Sequence, residues 1–293
     1  MTYDKKTAHI INLFFILLSF LMFVPFVLVL SISFSSEASL VQYGYTFIPK
    51  DLDLTAYRYI FKVPEIIIRS YSITAIVTFI GTIFGLLITS MIAYTISRPD
   101  YRYRKVTSFY VFFTMLFSGG LVPFYILMTQ YLHVKDTLWA IILPGLLNAW
   151  NVMVLKGFLS KIPMEIIESG KMDGAKEWRI FFSIVIPLST PALATMSLFI
   201  AFWYWNEWFN ALLFIDDQKL VPLQLLLVRM LNSMEVITQN LDKFGIQTLD
   251  INQFPTMSAR MVMVVLAAGP MMFVFPFFQR YFVQGLTVGS LKG

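Results

Sequence analysis

A short polar segment, residues 165–191, carries the residue types and spacing that best suit a specific chemical task. Glu165 lies in the first turn of a predicted helix, where the helix dipole favours a negative charge. Glu168 and Lys171 are three residues apart and can form an ion pair on one face of that helix. The Asp-Gly pair at 173–174 ends the helix, because glycine adopts the left-handed C-terminal conformation without penalty. This pattern predicts a charged element on which a partner docks.

A second helix is predicted over residues 175–186. It carries Trp178, Phe181 and Phe182 and is expected to end before Pro187, since the residue preceding a proline disfavours the helical conformation. The two helices would form a rigid helix-turn-helix, which could transmit the movement of a partner only if that partner binds it firmly. The alternative is an amphipathic helix that lies on lipid headgroups.

Long apolar runs surround this segment and set the class of the protein. The sequence is 58% hydrophobic and 13% charged, whereas soluble domains carry about 25% charged residues. Runs of roughly 18–25 apolar residues are long enough to cross the hydrocarbon core as helices. We therefore predict one all-α transmembrane domain, residues 1–293, with six spans at about 10–33, 70–97, 106–131, 138–158, 188–215 and 260–283. The longer polar loops between these spans are 34–69, 159–187 and 216–259.

Residues that perform catalysis or bind metals are missing from usable positions. The sequence contains no P-loop, zinc-protease helix or serine nucleophile elbow. It has no cysteine, and its two histidines, His9 and His133, lack metal-ligand neighbours at usable spacing. We therefore predict no catalytic residue, metal or cofactor in this chain. The net charge of +5 reports membrane topology rather than binding to nucleic acid.

Charge asymmetry predicts the orientation of the spans. With the N-terminus inside, the inner segments hold thirteen Lys and Arg against six acids, and the outer segments hold nine against ten. Because positively charged loops remain in the cytoplasm, both termini and the 159–187 loop are predicted to be cytoplasmic. The 34–69 and 216–259 loops are then external.

Aromatic residues cluster near the outer end of the fifth predicted span and suggest a substrate pathway, since aromatic faces stack on sugar rings. The candidates are Trp203, Trp205, Asn206, Glu207 and Trp208. The alternative for the aromatic residues is an interfacial belt or helix packing. Glu207 is an acid near membrane depth and therefore a functional candidate. Its alternative is a structural pairing with Asn206 or with an arginine of another chain.

Several motifs resemble those of one transporter family. The spacing Glu168-Ser169-Gly170-x-x-Asp173-Gly174, continued by Ile184-x-Ile186-Pro187, is similar to the EAA coupling motif of bacterial ABC-importer permeases. Ser169 and Gly170 replace the two alanines of that motif. Four further motifs resemble maltose-type carbohydrate importers, most of all the branch for complex oligosaccharides such as alginate and pectin fragments. They are Phe47-Ile-Pro-Lys with Leu54-Thr-Ala-Tyr-Arg-Tyr-Ile, Phe117-Ser-Gly-Gly-Leu-Val-Pro, Trp205-Asn-Glu-Trp-Phe-Asn-Ala-Leu and Gly285-Leu-Thr-Val-Gly-Ser-Leu-Lys-Gly.

The resemblance implies a type I ABC-importer permease fold of G-subunit character, with a cytoplasmic coupling helix, in the inner membrane of a bacterium. It implies a second, related permease as partner in a heterodimer, and two ATPase subunits that bind ATP and Mg²⁺. An extracellular solute-binding protein would deliver an oligosaccharide. The residues implied in coupling to the ATPase, within residues 163–187, are Glu165, Glu168, Ser169, Gly170, Asp173, Gly174, Ala175, Trp178 and Pro187. The alternative is a stand-alone secondary transporter or channel for a small polar solute, although the sequence has no internal repeat.

Overall fold

The computed structural model describes the backbone of residues 5–240 and 256–290. These residues form helices and connecting turns, with one isolated antiparallel bridge between Ser35 and Leu52. The first helices are α1 (Lys5–Ser33), α2 (Glu37–Tyr43), α3 (Thr55–Ile60), α4 (Pro64–Ser97), α5 (Arg104–Leu116), α6 (Leu121–Ile126), α7 (Trp139–Gly145) and α8 (Ala149–Leu159). They are followed by α9 (Met164–Met172), α10 (Glu177–Ile180), α11 (Ile186–Leu188), α12 (Thr190–Trp205), α13 (Phe209–Phe214), α14 (Leu223–Asn240) and α15 (Thr256–Ser290). The predicted all-α class is confirmed.

Three helical stretches are long and apolar enough to cross a membrane unbroken: His9–Ser33, Pro64–Ser97 and Thr256–Val274. Three bent pairs pass the same test together, with bends of 109° between α5 and α6, 46° between α7 and α8, and 85° between Glu177–Leu188 and α12. If each pair is one span, the described residues supply up to six spans.

The helices depart from the predicted spans in several places. The run predicted at 138–158 is interrupted between α7 and α8, because Pro144 lacks an N–H and Asn148 caps a new helix start. The run predicted at 188–215 stops at Trp205 and restarts at Phe209. The 216–259 segment, expected to be a loop, contains the eighteen-residue helix α14, while residues 241–255 lie outside the described residues. The side chains of the C-terminal motif that begins at Gly285 also lie outside them.

The chain divides into two compact units, of which the first comprises residues 1–67 and 227–270. Most of the apolar side chains of α1 are exposed, as a lipid-facing helix requires. Glu37, which is 5% exposed, accepts hydrogen bonds from the backbone N–H groups of Met257 and Ser258 and from the Thr256 hydroxyl. A buried carboxylate therefore caps the N-terminus of α15, where unpaired N–H groups and the helix dipole favour negative charge.

The second unit comprises residues 68–226 and 271–293 and contains two apolar clusters. One cluster packs the C-terminal half of α4 against α8, α9, α12 and residues 180–185. The other packs α4 against α7, α12, α13 and the start of α14. The first cluster holds residues 163–187 against the end of α4 and so fixes the position of the candidate site.

Candidate functional site

The predicted helix-turn-helix is present, and its turn is closed by a Schellman motif. The N–H of Gly174 donates to the carbonyl of Lys171 at 3.0 Å, and the N–H of Ala175 donates to the carbonyl of Gly170 at 3.0 Å. These are the two hydrogen bonds of that motif, and Gly174 has the left-handed φ of 77° that it requires. The left-handed turn predicted at Gly174 is confirmed.

Gly170 allows the two arms of the helix-turn-helix to pack closely. It is buried, and a Cβ atom added there would lie 3.0 Å from Cδ1 of Ile184 and 3.6 Å from Cγ1 of Ile180. Glycine destabilises a helix by about 1 kcal/mol relative to alanine. At position 170 the absence of a side chain in turn allows α9 to pack against the second arm.

The second arm begins and ends two residues later than predicted. It begins at Glu177 and continues through Pro187 to Leu188, so the expectation that it ends before Pro187 is wrong. A proline ring clashes with the carbonyl four residues earlier, here that of Ser183. Ser183 lies in the π-helical stretch Phe181–Val185, where the wider turn moves that carbonyl away from its usual position. The arm therefore accommodates the proline without a break until Ser189.

The outer face of the helix-turn-helix is exposed and carries unpaired charge. Glu165, Glu168 and Asp173 are exposed, and their side-chain carboxylates have no hydrogen-bond or ion-pair partner among the described residues. Met172 is 88% exposed and Trp178 is 62% exposed, with the Trp178 ring stacked on Phe182. Free carboxylates beside exposed apolar side chains suit a surface that a partner covers.

The predicted pairing of Glu168 with Lys171 is wrong, because Lys171 belongs to a different set of charges. Lys171 Nζ lies 3.0 Å from Asp100 Oδ2 and 3.4 Å from Glu177 Oε1. Arg98, immediately after α4, forms ion pairs with both of these carboxylates. We refer to Tyr94, Arg98, Asp100, Lys171 and Glu177 as the charge cluster.

Arg98 is the most enclosed ionised group of the charge cluster. Its side chain is 6% exposed, whereas those of Asp100, Lys171 and Glu177 are 39%, 40% and 58% exposed. Its Nη1 donates to Glu177 Oε2 at 2.8 Å and to the Tyr94 hydroxyl at 2.5 Å, and its Nε donates to Asp100 Oδ1 at 2.7 Å. A planar guanidinium can serve several acceptors at once, which an ammonium group cannot do in the same geometry.

The pKa values follow these contacts. Hydrogen bonding from Arg98 holds the pKa of the Asp100 carboxyl well below its usual range, although partial burial opposes the shift. The hydrogen bond to Asp100 raises the pKa of the Lys171 ammonium. Both groups therefore remain charged at neutral pH, and the cluster is not a proton switch there.

The candidate substrate-pathway residues do not share one surface. Trp205 is 8% exposed and faces the ring of Tyr71, while Asn206 donates to the carbonyl of Phe202 at 2.8 Å. Glu207 is 9% exposed, and its Oε1 accepts the N–H of Asn210 at 2.7 Å. The partner of Glu207 is therefore the first turn of α13, not Asn206. Trp208 is 40% exposed and meets the ring of Phe209 edge to face.

Trp203 lines a cavity at the break between α7 and α8. The cavity has a volume of about 220 Å³, and its walls include Asn148, Trp150, Asn151 and Phe199. The Oδ1 atom of Asn148 accepts the N–H groups of Trp150 and Asn151 and so starts α8 beside the cavity. Sequence analysis did not single out these residues, because the helix break that exposes them lies within an apparently continuous apolar run.

Comparison with known proteins identifies the family. Residues 81–288 match the family model described as "Binding-protein-dependent transport system inner membrane component". This chain belongs to that family. It is therefore a permease subunit of an ABC importer in the inner membrane, and ATP is hydrolysed by a separate chain. Membership favours this role over the stand-alone transporter or channel.

Individual relatives cover nearly the whole chain. The polygalacturonan/rhamnogalacturonan transport system permease protein YtcP of Bacillus subtilis (strain 168) is 38% identical over 280 residues, which is 96% of each chain. Protein LplC of the same organism is 36% identical and covers 92% of this chain and 89% of its own. A solved bacterial ABC transporter involved in the import of the acidic polysaccharide alginate matches with a TM-score of 0.78 and 27% identity. That match covers 96% of this chain and 99% of the other.

Within the described residues, no group of three or more His, Asp and Glu side chains is arranged to hold a metal ion. The site itself consists of free carboxylates, exposed apolar side chains and a turn held by two backbone hydrogen bonds, which are the features of a binding surface.

Proposed function

We propose that this permease forms one half of a translocation pathway and that residues 163–187 transmit the movement of an ATPase to it. The observation that carries the proposal is the rigid, exposed helix-turn-helix, whose Schellman turn at Gly174 presents Glu168, Asp173 and Met172 to a partner. A segment that only rested on lipid headgroups would place its apolar side chains against lipid and would gain little from free carboxylates. The exposed carboxylates favour docking on a protein surface.

The assembly that fits this role contains a second, related permease, two ATP-binding subunits and an extracellular solute-binding protein. ATP and Mg²⁺ would bind to the ATPase subunits and not to this chain. Both termini and the coupling segment would be cytoplasmic, as the distribution of Lys and Arg favours. The exposed apolar residues Tyr45, Phe47 and Ile48 in the 34–69 loop would then face the solute-binding protein.

The proposed substrate is an oligosaccharide derived from an acidic polysaccharide. The similarity to YtcP and to the alginate importer supports this class, because the names of both refer to polymers of uronic acids. Within this chain, the cavity beside Trp203 is the best-supported part of the pathway, since aromatic faces and the Asn148 and Asn151 amides suit a sugar ring. Among the other candidates, Trp205 and Glu207 have packing and capping contacts that support a structural contribution to the pathway wall.

The coupling role is tested by charge reversal on the exposed face. Glu168→Arg is expected to weaken the association of the ATPase during purification of the complex and to lower transport. The matched control is Asp51→Arg, the same reversal at an exposed residue of the proposed external loop, which is expected to leave the ATPase bound. Retention of the ATPase at the wild-type ratio by Glu168→Arg would contradict the proposal.

The substrate class is tested on the component that selects it. The cognate solute-binding protein is titrated with oligogalacturonides, oligomannuronates and neutral oligosaccharides of equal length. Preferential binding of the uronate oligomers is expected. Binding of neutral oligomers only would contradict the substrate assignment and leave the coupling proposal intact.

A further inference from the structure

The charge cluster ties both arms of the helix-turn-helix to the end of α4. Lys171 lies in the last turn of α9, Glu177 lies in the first turn of α10, and Arg98 directly follows α4. Asp100 completes the set and is bound by Arg98 and Lys171. The Lys171–Glu177 ion pair thus joins the two arms to each other, and the buried Arg98 guanidinium joins the second arm to the end of a 34-residue helix.

Apolar packing lies directly beside the cluster. The ring of Tyr94 contacts the ring of Phe181 at a centroid distance of 5.4 Å, and Ile180 and Ile96 are fully buried in the same apolar cluster. The Tyr94 hydroxyl also donates to Glu177 Oε2 at 3.2 Å. Polar and apolar contacts therefore hold the end of α4 against the second arm. Sliding of one helix along the other would break both kinds of contact.

We propose that Arg98 is a positioning residue for energy coupling, which locks α9, the second arm and the end of α4 into one body that moves as a unit. The proposal rests on the coupling function given above and adds that the charge cluster stays closed throughout the transport cycle. Without the lock, a force on Met172 or Glu168 would bend the chain at the non-helical residues 173–176. With the lock, the same force moves α4.

The chemistry of arginine explains why this residue type is required. A single exposed ion pair contributes little to stability, but Arg98 is buried and binds Tyr94 on α4, Glu177 on α10 and Asp100 in the turn that follows α4. Removing the side chain leaves the Glu177 and Asp100 carboxylates with only the half-exposed Lys171 ammonium between them and with no link to Tyr94 through a guanidinium. A lysine would keep the charge but would not reach both carboxylates in the same geometry.

The first test compares variants of Arg98 in the full complex with its ATPase, partner permease and binding protein, reconstituted in liposomes. Arg98→Ala is expected to lower the amount of oligosaccharide transported per ATP hydrolysed by about 5- to 150-fold, the range of energetic coupling between sites. Arg98→Lys is expected to be intermediate. The control is Arg102→Ala, a loop arginine whose guanidinium contacts only the Tyr103 ring among the described residues. Wild-type transport per ATP in Arg98→Ala would overturn the proposal.

The second test separates positioning from a general loss of folding. The chain has no natural cysteine, so Arg98→Cys and Glu177→Cys introduce the only pair in it that a short thiol-specific cross-linker can join. The unlinked double variant is expected to hydrolyse ATP with little transport, and cross-linking is expected to restore transport. If cross-linking instead abolishes the remaining transport, the cluster must open during the cycle and the proposal is wrong.

Failure of this inference and failure of the coupling function give different results. If the segment couples the ATPase but Arg98 does not lock it, Glu168→Arg impairs transport while Arg98→Ala does not. If the segment has no coupling role, both variants transport as wild type. If Arg98→Ala does not assemble, the cross-linked cysteine pair decides, because it retains the connection between α4 and α10.

Discussion

Replacement of Gly174 tests whether the shape of the turn, rather than its composition, carries coupling. Gly174 has a φ of 77°, and a Cβ atom added there would meet no other atom within 4 Å. The only penalty for a side chain is therefore the left-handed backbone, which costs an L-amino acid about 1–2 kcal/mol and is most strained for β-branched residues. The turn is held by two backbone hydrogen bonds, each contributing about 1 kcal/mol. The penalty for Gly174→Val is therefore comparable to what holds the turn.

This balance sets the expected size of the effect. A penalty of about 1–2 kcal/mol lowers the ratio of closed to open turn by about 5- to 30-fold. Transport per ATP in reconstituted complexes is expected to fall in the order Gly, Asn, Ala, Val at position 174, because asparagine tolerates the left-handed region best among these side chains. Gly157→Val serves as the control, since Gly157 also has open space around it but an ordinary helical φ.

Two results would refute this reasoning. One is wild-type coupling in Gly174→Val. The other is equal loss of coupling in Gly174→Asn and Gly174→Val, which would show that the absence of a side chain, and not the backbone conformation, is what the partner recognises.

Three further predictions concern other parts of the molecule. Glu37→Gln is expected to destabilise the complex by about 1–3 kcal/mol, because the amide cannot accept all the hydrogen bonds at the start of α15. The control is the same change at the exposed Asp51, and equal thermal unfolding temperatures for Glu37→Gln and Asp51→Asn would contradict this prediction. Trp203→Ala is expected to lower uptake by about 2- to 10-fold without reducing ATPase association. The control is Trp139→Ala, an exposed tryptophan outside the lining of the cavity, which is expected to leave uptake unchanged. The pKa of Asp100 is lower in the folded protein than in the unfolded chain, where it is about 4. The ion pairs of Asp100 therefore stabilise the charge cluster fully at pH values above about 4 and are lost only as the pH falls below that. Transport per ATP should therefore be constant between about pH 5 and 8, and a steep change in that window would show that the charge cluster titrates.

The sequence predicted the features that depend on neighbouring residues. The turn at Gly174 follows from a glycine directly after a helical run. The all-α class follows from long uncharged stretches. In each case the cause and the structure lie within a few residues of each other, so local chemistry suffices.

Features that join distant parts of the chain were missed. Arg98 and Glu177 are 79 residues apart, and no local pattern indicates that they meet, so Lys171 was paired with its helical neighbour Glu168.

The α7–α8 break was also missed, because Pro144 is tolerated inside apolar helices and gave no sign of a cavity. The π-helical stretch before Pro187 depends on packing around Phe181 and Val185, which the sequence does not encode locally.

The most direct measurement is the accessibility of Met172, at the exposed tip of the helix-turn-helix, to a membrane-impermeant thiol reagent. Met172→Cys would be the only cysteine in this chain, and the label is read on this chain after the subunits are separated. We expect labelling only from the cytoplasmic side of the membrane, and protection when the ATPase subunits are assembled. Labelling from the external side, or labelling that the bound ATPase does not change, would contradict the account.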